Sequence, residues 1–353
     1  MYDFLDFEWK APVYQYSDSS LKRDGHEFAE GLLATLTSSP RLAALVKTLR
    51  LGIELINYQD LPEWTQTNIR ILHLCPNVEQ VEIRGFDYTG LDALVDVLEA
   101  KSLISFCIST RTLMSDHSGL RRGVGNFSHV LDMMRKWPRL RSMKVEELWD
   151  AGRSEESEVL FDAAQVSERC PELQEIIFTG SPLFDSELRT LRTMCSGVTK
   201  FSASLYERWV GGRGDAVTNA LCECLRAWSS TLECLKIDVQ ESHNGNRALT
   251  KAITRLKSLR ELQVSGMKLE LASISQLPRL ERFGCPSVYS WTELESLLED
   301  SSRFPSLTFI ALCFIDSYVF EERIKNLCAR RTIKLKEWFR GIPQDASEAG
   351  FLL

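Results

Sequence analysis

The pattern apolar-x-x-apolar-x-apolar occurs ten times along this chain. It reads Val46-x-x-Leu49-x-Leu51, Val78-x-x-Val81-x-Ile83, Leu103-x-x-Phe106-x-Ile108, Leu140-x-x-Met143-x-Val145 and Leu173-x-x-Ile176-x-Phe178. It continues as Val198-x-x-Phe201-x-Ala203, Leu232-x-x-Leu235-x-Ile237, Leu259-x-x-Leu262-x-Val264, Leu280-x-x-Phe283-x-Cys285 and Leu307-x-x-Ile310-x-Leu312. The last two apolars of each copy are two residues apart, the period of a strand with one buried face. Between copies the period becomes helical. Leu91, Leu94, Val95 and Leu98 form one stripe, and Leu160, Phe161, Ala164 and Val166 a second. Val217, Leu221, Cys224, Leu225 and Trp228 form a third, and Leu294, Leu297 and Leu298 a shorter one. Such spacing turns one apolar side of each helix toward the strands.

Successive copies start 21 to 37 residues apart. Strand and helix alternating at this interval are the mark of leucine-rich repeats, whose regular units run roughly 20–29 residues. The predicted fold is therefore α/β: a leucine-rich-repeat solenoid, or horseshoe, of about ten repeats. Parallel strands would line the concave face, with crossover helices on the convex face. Proline placement supports this independently. Pro76, Pro138, Pro171, Pro278 and Pro305 each stand two residues before the first apolar of a copy. Proline lacks an amide donor and disfavours helix in its predecessor, so it ends the helix and releases the strand.

The ends of the array follow from the same pattern. Phe28, Leu32, Leu33 and Leu36 predict a helix over about 26–37 that caps the stack, and Pro40 leads into the first strand. Ile324 and Leu327 predict a last helix, and Arg331 to Leu335 an eleventh short strand. The expected organisation is a poorly ordered head at 1–25, cap and lead-in at 26–45, solenoid at 46–335 and tail at 336–353.

The phrases Leu72-His73-Leu74-Cys75-Pro76-Asn77-Val78 and Cys170-Pro171-Glu172-Leu173-Gln174-Glu175-Ile176 resemble the repeat region of fungal F-box and leucine-rich-repeat proteins. The resemblance covers roughly residues 26–335. It implies a substrate-recognition subunit of a cullin-type ubiquitin ligase, with the ligase adaptor as one partner. In that group an N-terminal F-box holds the adaptor, and no F-box is recognisable in this sequence.

Composition narrows the chemistry. Net charge is −7 over 353 residues, against the basic stripe that a nucleic-acid partner requires. No run approaches ~18 apolar residues, so no membrane span is expected. The start carries acidic residues where a signal peptide has a basic stretch followed by an apolar one. Ten cysteines contain no Cys-x-x-Cys, and Cys75, Cys170 and Cys195 share one repeat slot. They read as reduced core thiols, giving no metal site and an intracellular location, cytoplasmic or nuclear. Gly123-x-Gly125 and Gly211-Gly212-x-Gly214 lack the residues that complete a phosphate or dinucleotide loop, and no Gly-x-Ser-x-Gly occurs. No catalytic residue and no cofactor is expected, although an enzyme site on the loop edge stays open as an alternative.

Partner binding is expected on side chains between the buried apolars of each strand. One column runs Arg50, Glu82, Cys107, Lys144, Ile177, Ser202, Lys236, Gln263, Gly284, Ala311. Its neighbour runs Thr48, Gln80, Ser105, Ser142, Glu175, Lys200, Cys234, Glu261, Arg282, Phe309. A surface of mixed charge suits a protein better than a phosphate backbone. Lys144, Lys200, Lys236 and Phe309 are the binding candidates from these columns. The long insertions after the strands add Arg121, Arg122, Trp149, Tyr206, Arg208 and Trp209, the residue types that dominate interface energy. The expected function is a non-catalytic scaffold for a protein partner. A repeat scaffold unrelated to ubiquitination is the alternative within that class.

Overall fold

Each copy of the motif becomes one parallel strand. The computed structural model describes residues 21–52, 61–84, 90–109, 127–146, 170–206, 214–240, 247–266, 268–285, 290–312 and 318–337. The chain divides into two compact units, residues 1–160 with 167–181, and residues 161–166 with 182–353. Among the described residues there are eleven strands and eleven helices.

The first unit carries α1 (Leu21–Ser38), α2 (Pro40–Leu45), β1 (Thr48–Gly52), α3 (Leu61–Leu74), β2 (Gln80–Arg84), α4 (Leu91–Glu99), β3 (Ser105–Ser109), α5 (Phe127–Lys136), β4 (Ser142–Glu146) and β5 (Glu175–Leu183). The second carries α6 (Asp185–Met194), β6 (Lys200–Tyr206), α7 (Gly214–Ala227), β7 (Cys234–Gln240), α8 (Arg247–Ile253), β8 (Glu261–Ser265), α9 (Leu271–Ile274), β9 (Arg282–Cys285), α10 (Trp291–Glu299), β10 (Phe309–Leu312), α11 (Tyr318–Arg330) and β11 (Lys334–Glu337).

Within each unit the strands stand side by side in chain order, every pair parallel. This is the predicted α/β class, a solenoid of leucine-rich-repeat type. The cap helix begins at Leu21, five residues before the expected 26, and the lead-in from Pro40 forms a helix of its own with proline in its first turn. The helical stripe at 160–166 lies outside the described residues.

Register follows from burial. Leu49 pairs with Val81, Val81 with Phe106, Phe106 with Met143 and Met143 with Ile176, and all are buried. Phe201, Leu235, Leu262, Phe283 and Ile310 form the corresponding row within the second unit. A slip of one residue would turn a whole row to solvent. A repeated fork also fixes the lead into each strand. Glu79 N and Gln80 N both donate to Lys47 O, at 2.8 and 3.1 Å, and Ile104 N and Ser105 N both donate to Glu79 O. Arg260 N and Glu261 N do the same to Glu233 O.

The helix exits hold a second recurring device. The last carbonyls of a helix have no partner within the helix. Here a side chain of the following repeat supplies one. Lys101 Nζ donates to Cys75 O at 2.7 Å, Trp137 Nε1 to Leu98 O at 3.0 Å and Cys170 Sγ to Met134 O at 3.1 Å. In the second unit Trp228 Nε1 donates to Cys195 O at 2.7 Å, and Arg331 reaches the carbonyls of Leu298, Arg303 and Phe304. The rings also pack onto the strands: Phe106 on Trp137 at 5.3 Å and Phe201 on Trp228 at 5.2 Å between centroids. β8 ends on Gly266, whose φ of 76° is left-handed. A Cβ there would lie 1.6 Å from Val239 O, so only glycine lets the chain leave against β7.

Candidate binding face on the parallel strands

Right-handed crossovers place the helices of each unit on one side of its strands. The side chains between the buried apolars therefore point to the other, open face. The paired registers reproduce both predicted columns within each unit. Thr48, Gln80, Ser105, Ser142 and Glu175 align in the first, as do Arg50, Glu82, Cys107, Lys144 and Ile177.

In the first unit this face is polar and open. Arg50 and Arg84 both reach Glu82, at 3.5 and 2.7 Å. Lys144 Nζ lies 3.3 Å from Glu175 Oε2, which also accepts a hydrogen bond from Ser142 Oγ. All of these side chains are exposed or half-buried, so each pair contributes at most about 1 kcal/mol.

The second unit differs. Its middle column, Ser202, Lys236, Gln263, Gly284 and Ala311, is buried throughout. Lys236 is 5 % exposed, and its ammonium meets Glu261 Oε1 at 3.0 Å, a contact of charges rather than an aligned hydrogen bond. Glu261 Oε2 turns to Arg282 Nε at 3.8 Å. The Arg282 guanidinium lies 4.7 Å above the Phe309 ring, within cation–π range. One carboxylate thus holds two cations, and the second cation caps a buried aromatic ring. Gln263 Oε1 is buried without a hydrogen-bond partner. Ser265 Oγ donates a short hydrogen bond to Asp238 Oδ1 at the margin.

Four sequence candidates therefore fall on this face. Lys144 belongs to the first unit. Lys200, at the start of β6, Lys236 and Phe309 belong to the second. Tyr206 ends β6 opposite Gln240. Arg121, Arg122, Trp149, Arg208 and Trp209 lie outside the described residues. Glu261 and Arg282 stand in the predicted columns but were not among the binding candidates. The signal for them is diagonal charge alternation on adjacent strands: Lys236, Glu261 and Arg282 lie within side-chain reach of one another.

The thiols belong to the core. Burial pushes Cys75, Cys170 and Cys328 up to about 11 and Cys224 up to about 12, with nearby Lys101, Arg135, Arg331 and Arg192 opposing the rise. Among the described residues no group of His, Cys, Asp and Glu is arranged to hold a metal ion, and no helix is long and apolar enough to cross a membrane. No family model and no curated protein matches the chain.

Proposed function

We propose that this chain is a non-catalytic protein-interaction scaffold that holds a protein partner on the open strand face of its repeats. The observation that carries the reading is the cluster on β7 to β10. There Lys236, Glu261, Arg282 and Phe309 combine two cations, a shared carboxylate and an aromatic ring on rigid strands. Arginine and aromatic anchors at a desolvated centre, with polar surroundings, are what recurs at binding hot spots. Rigid strands also present those anchors with little ordering cost on binding.

The test is affinity capture from native lysate with quantitative mass spectrometry, comparing the unaltered chain with Arg282→Glu. Arg282 has a side chain 42 % exposed, so its reversal leaves the core intact. A partner at this face drops by at least about tenfold, the cost of one misplaced charge at an interface centre. Unchanged capture by a variant of unchanged melting temperature removes the open face from the function. The pair Arg121→Glu and Arg122→Glu tests the loop edge in the same way. Recovery of a cullin-ligase adaptor with the partner assigns the substrate-recognition role that the family resemblance implies. A stable partner without ligase components assigns a repeat scaffold unrelated to ubiquitination.

A further inference from the structure

The same two columns of the open face carry different charge in the two units. In the first unit they hold Arg50 and Lys144 against Glu82 and Glu175, a balance of zero. In the second unit β11 extends both columns, with Lys334 beside Phe309 and Lys336 beside Ala311. There the columns hold Lys200, Lys236, Arg282, Lys334 and Lys336 against Glu261, five cations to one anion, or +4. Asp238, at the next open-face position of β7, lowers this to +3. The whole chain is −7, so the excess is local. A cationic strip on an acidic protein draws anionic groups to that strip and away from the rest of the surface.

We propose that the partner meets this face with an extended acidic segment, its carboxylates about three residues apart, laid across β8 to β11. The proposal rests on the scaffold reading above and gives the partner a chemistry. The spacing comes from the strands. Arg282 on β9 and Lys334 and Lys336 on β11 stand two strand spacings apart, about 10 Å. An extended chain rises about 3.3 Å per residue, so acids three residues apart reach both strands. The flanking column forms a cationic rim: the Arg282 side chain is 42 % exposed and Lys334 is exposed. The middle column forms a low floor, because Gly284 has no side chain and Ala311 only a methyl group, both buried. An apolar side chain between the two acids falls on β10, beside Phe309 and Ala311. On β8, in register with Gly284, Gln263 Oε1 is buried without a hydrogen-bond partner. A peptide N–H of the bound segment supplies the missing donor.

The strip suits carboxylates better than a nucleic acid. Its ring, Phe309, is 8 % exposed and lies under the Arg282 guanidinium, so it offers a base no face to stack on. Four of the five cations are lysines, point charges that accept a carboxylate from a range of directions. Glu261 holds Lys236 and Arg282 from one side before any partner arrives, which reduces the ordering that binding requires. Recognition of acidic motifs by clustered cations is a recurring mode of peptide binding.

The test selects binders for the purified full chain from a phage-displayed library of random peptides of about 12 residues. Selection should enrich Asp and Glu pairs three residues apart with an apolar residue between them. A K334E/K336E variant, altered only at exposed or half-buried side chains of β11, should recover those peptides at least about tenfold less well at an unchanged melting temperature. If the reversal unfolds the chain, K334Q/K336Q, which removes the charge alone, is read in the same way. Binding of a selected peptide should also weaken several-fold between about 50 and about 200 mM salt. Enrichment of basic or uncharged peptides, no enrichment, or acidic peptides that bind the variant as well as the unaltered chain overturns the proposal. Tighter binding by a single-stranded oligothymidine than by any selected peptide overturns it as well and assigns the strip to nucleic acid. The Arg282→Glu capture separates the two readings. If that variant still loses a protein partner, the scaffold stands with a partner of other chemistry, and if it does not, the open face is removed from the function altogether.

Discussion

Raising the pH should unfold this protein through its buried thiols. Cys75 and Cys170 in the first unit, and Cys224 and Cys328 in the second, are 0–1 % exposed. Burial raises them from 9.0 to about 11, or about 12 for Cys224. The sign follows from linkage. A group whose folded pKa is raised contributes stability that is fully present below its unfolded pKa and is lost as pH climbs toward the folded value. Between about pH 8 and about pH 10 the unfolded thiol gives up most of its proton while the folded one keeps it. At ~1.36 kcal/mol per pH unit the loss is about 1.3 kcal/mol per thiol, or about 5 kcal/mol for four. That is a large part of the roughly 5–15 kcal/mol that holds a folded domain. Urea titrations followed by circular dichroism, under reductant, read it directly. If the units melt separately, each contains two of the thiols and shows about half the loss. Tyrosine and lysine titrate in the same range, so the control is a chain with all four residues changed to alanine. That chain starts less stable but should lose much less between the two pH values. An equal pH slope in both chains refutes the argument.

The helix-exit donors and the core make two further predictions. Trp228→Phe keeps the ring against Phe201 but leaves Cys195 O buried without its donor, so stability should fall by about 1–3 kcal/mol in a urea titration. Trp137→Phe should cost less, because Leu98 O keeps Lys101 N as a donor at 3.0 Å, and no loss for Trp228→Phe would mean that another donor replaces its indole. Leu235→Ala empties a fully buried position between β6 and β8 and should cost about 2–5 kcal/mol, while partner capture by the chain that remains folded is unchanged.

The strands were legible because burial on one face leaves a strict two-residue trace: Leu235 and Ile237 stand where the motif put them, in register with Leu262 and Val264. The prolines marked the helix exits because their missing amide acts locally: Pro76 and Pro138 each open a turn between helix and strand, and Pro171 opens the turn that leads into β5. The columns of the open face followed from the same alternation. Interactions between repeats were not legible. Nothing near Trp228 in sequence says that its indole ends on Cys195 O, 33 residues earlier. Lys101 likewise reads as a surface lysine, yet it is buried and donates to the Cys75 carbonyl, although burial itself disfavours its charge and lowers its pKa. Burial of Lys236 was also hidden, since alternation assigns a residue to a face and says nothing of how closely its neighbours there, Glu261 among them, shield it.

The helix-exit donors give synthesis a direction. Within each unit the group that completes a helix comes from later in the chain: Lys101 for the carbonyl at 75, Trp137 for 98, Cys170 for 134, Trp228 for 195 and Arg331 for 298. A polypeptide leaving the ribosome presents the acceptor first and the donor some 26 to 39 residues afterwards. At about 5–20 residues per second that lag is seconds long, much slower than helix formation. The newest repeat on a nascent chain therefore lacks one of its helix-end donors, and Leu98 O and Met134 O are then met by backbone amides, such as Lys101 N and Trp137 N, without the side chain. A stalled or prematurely terminated product would be marked by one incomplete repeat, a feature by which a cell's quality control could tell it from the finished protein.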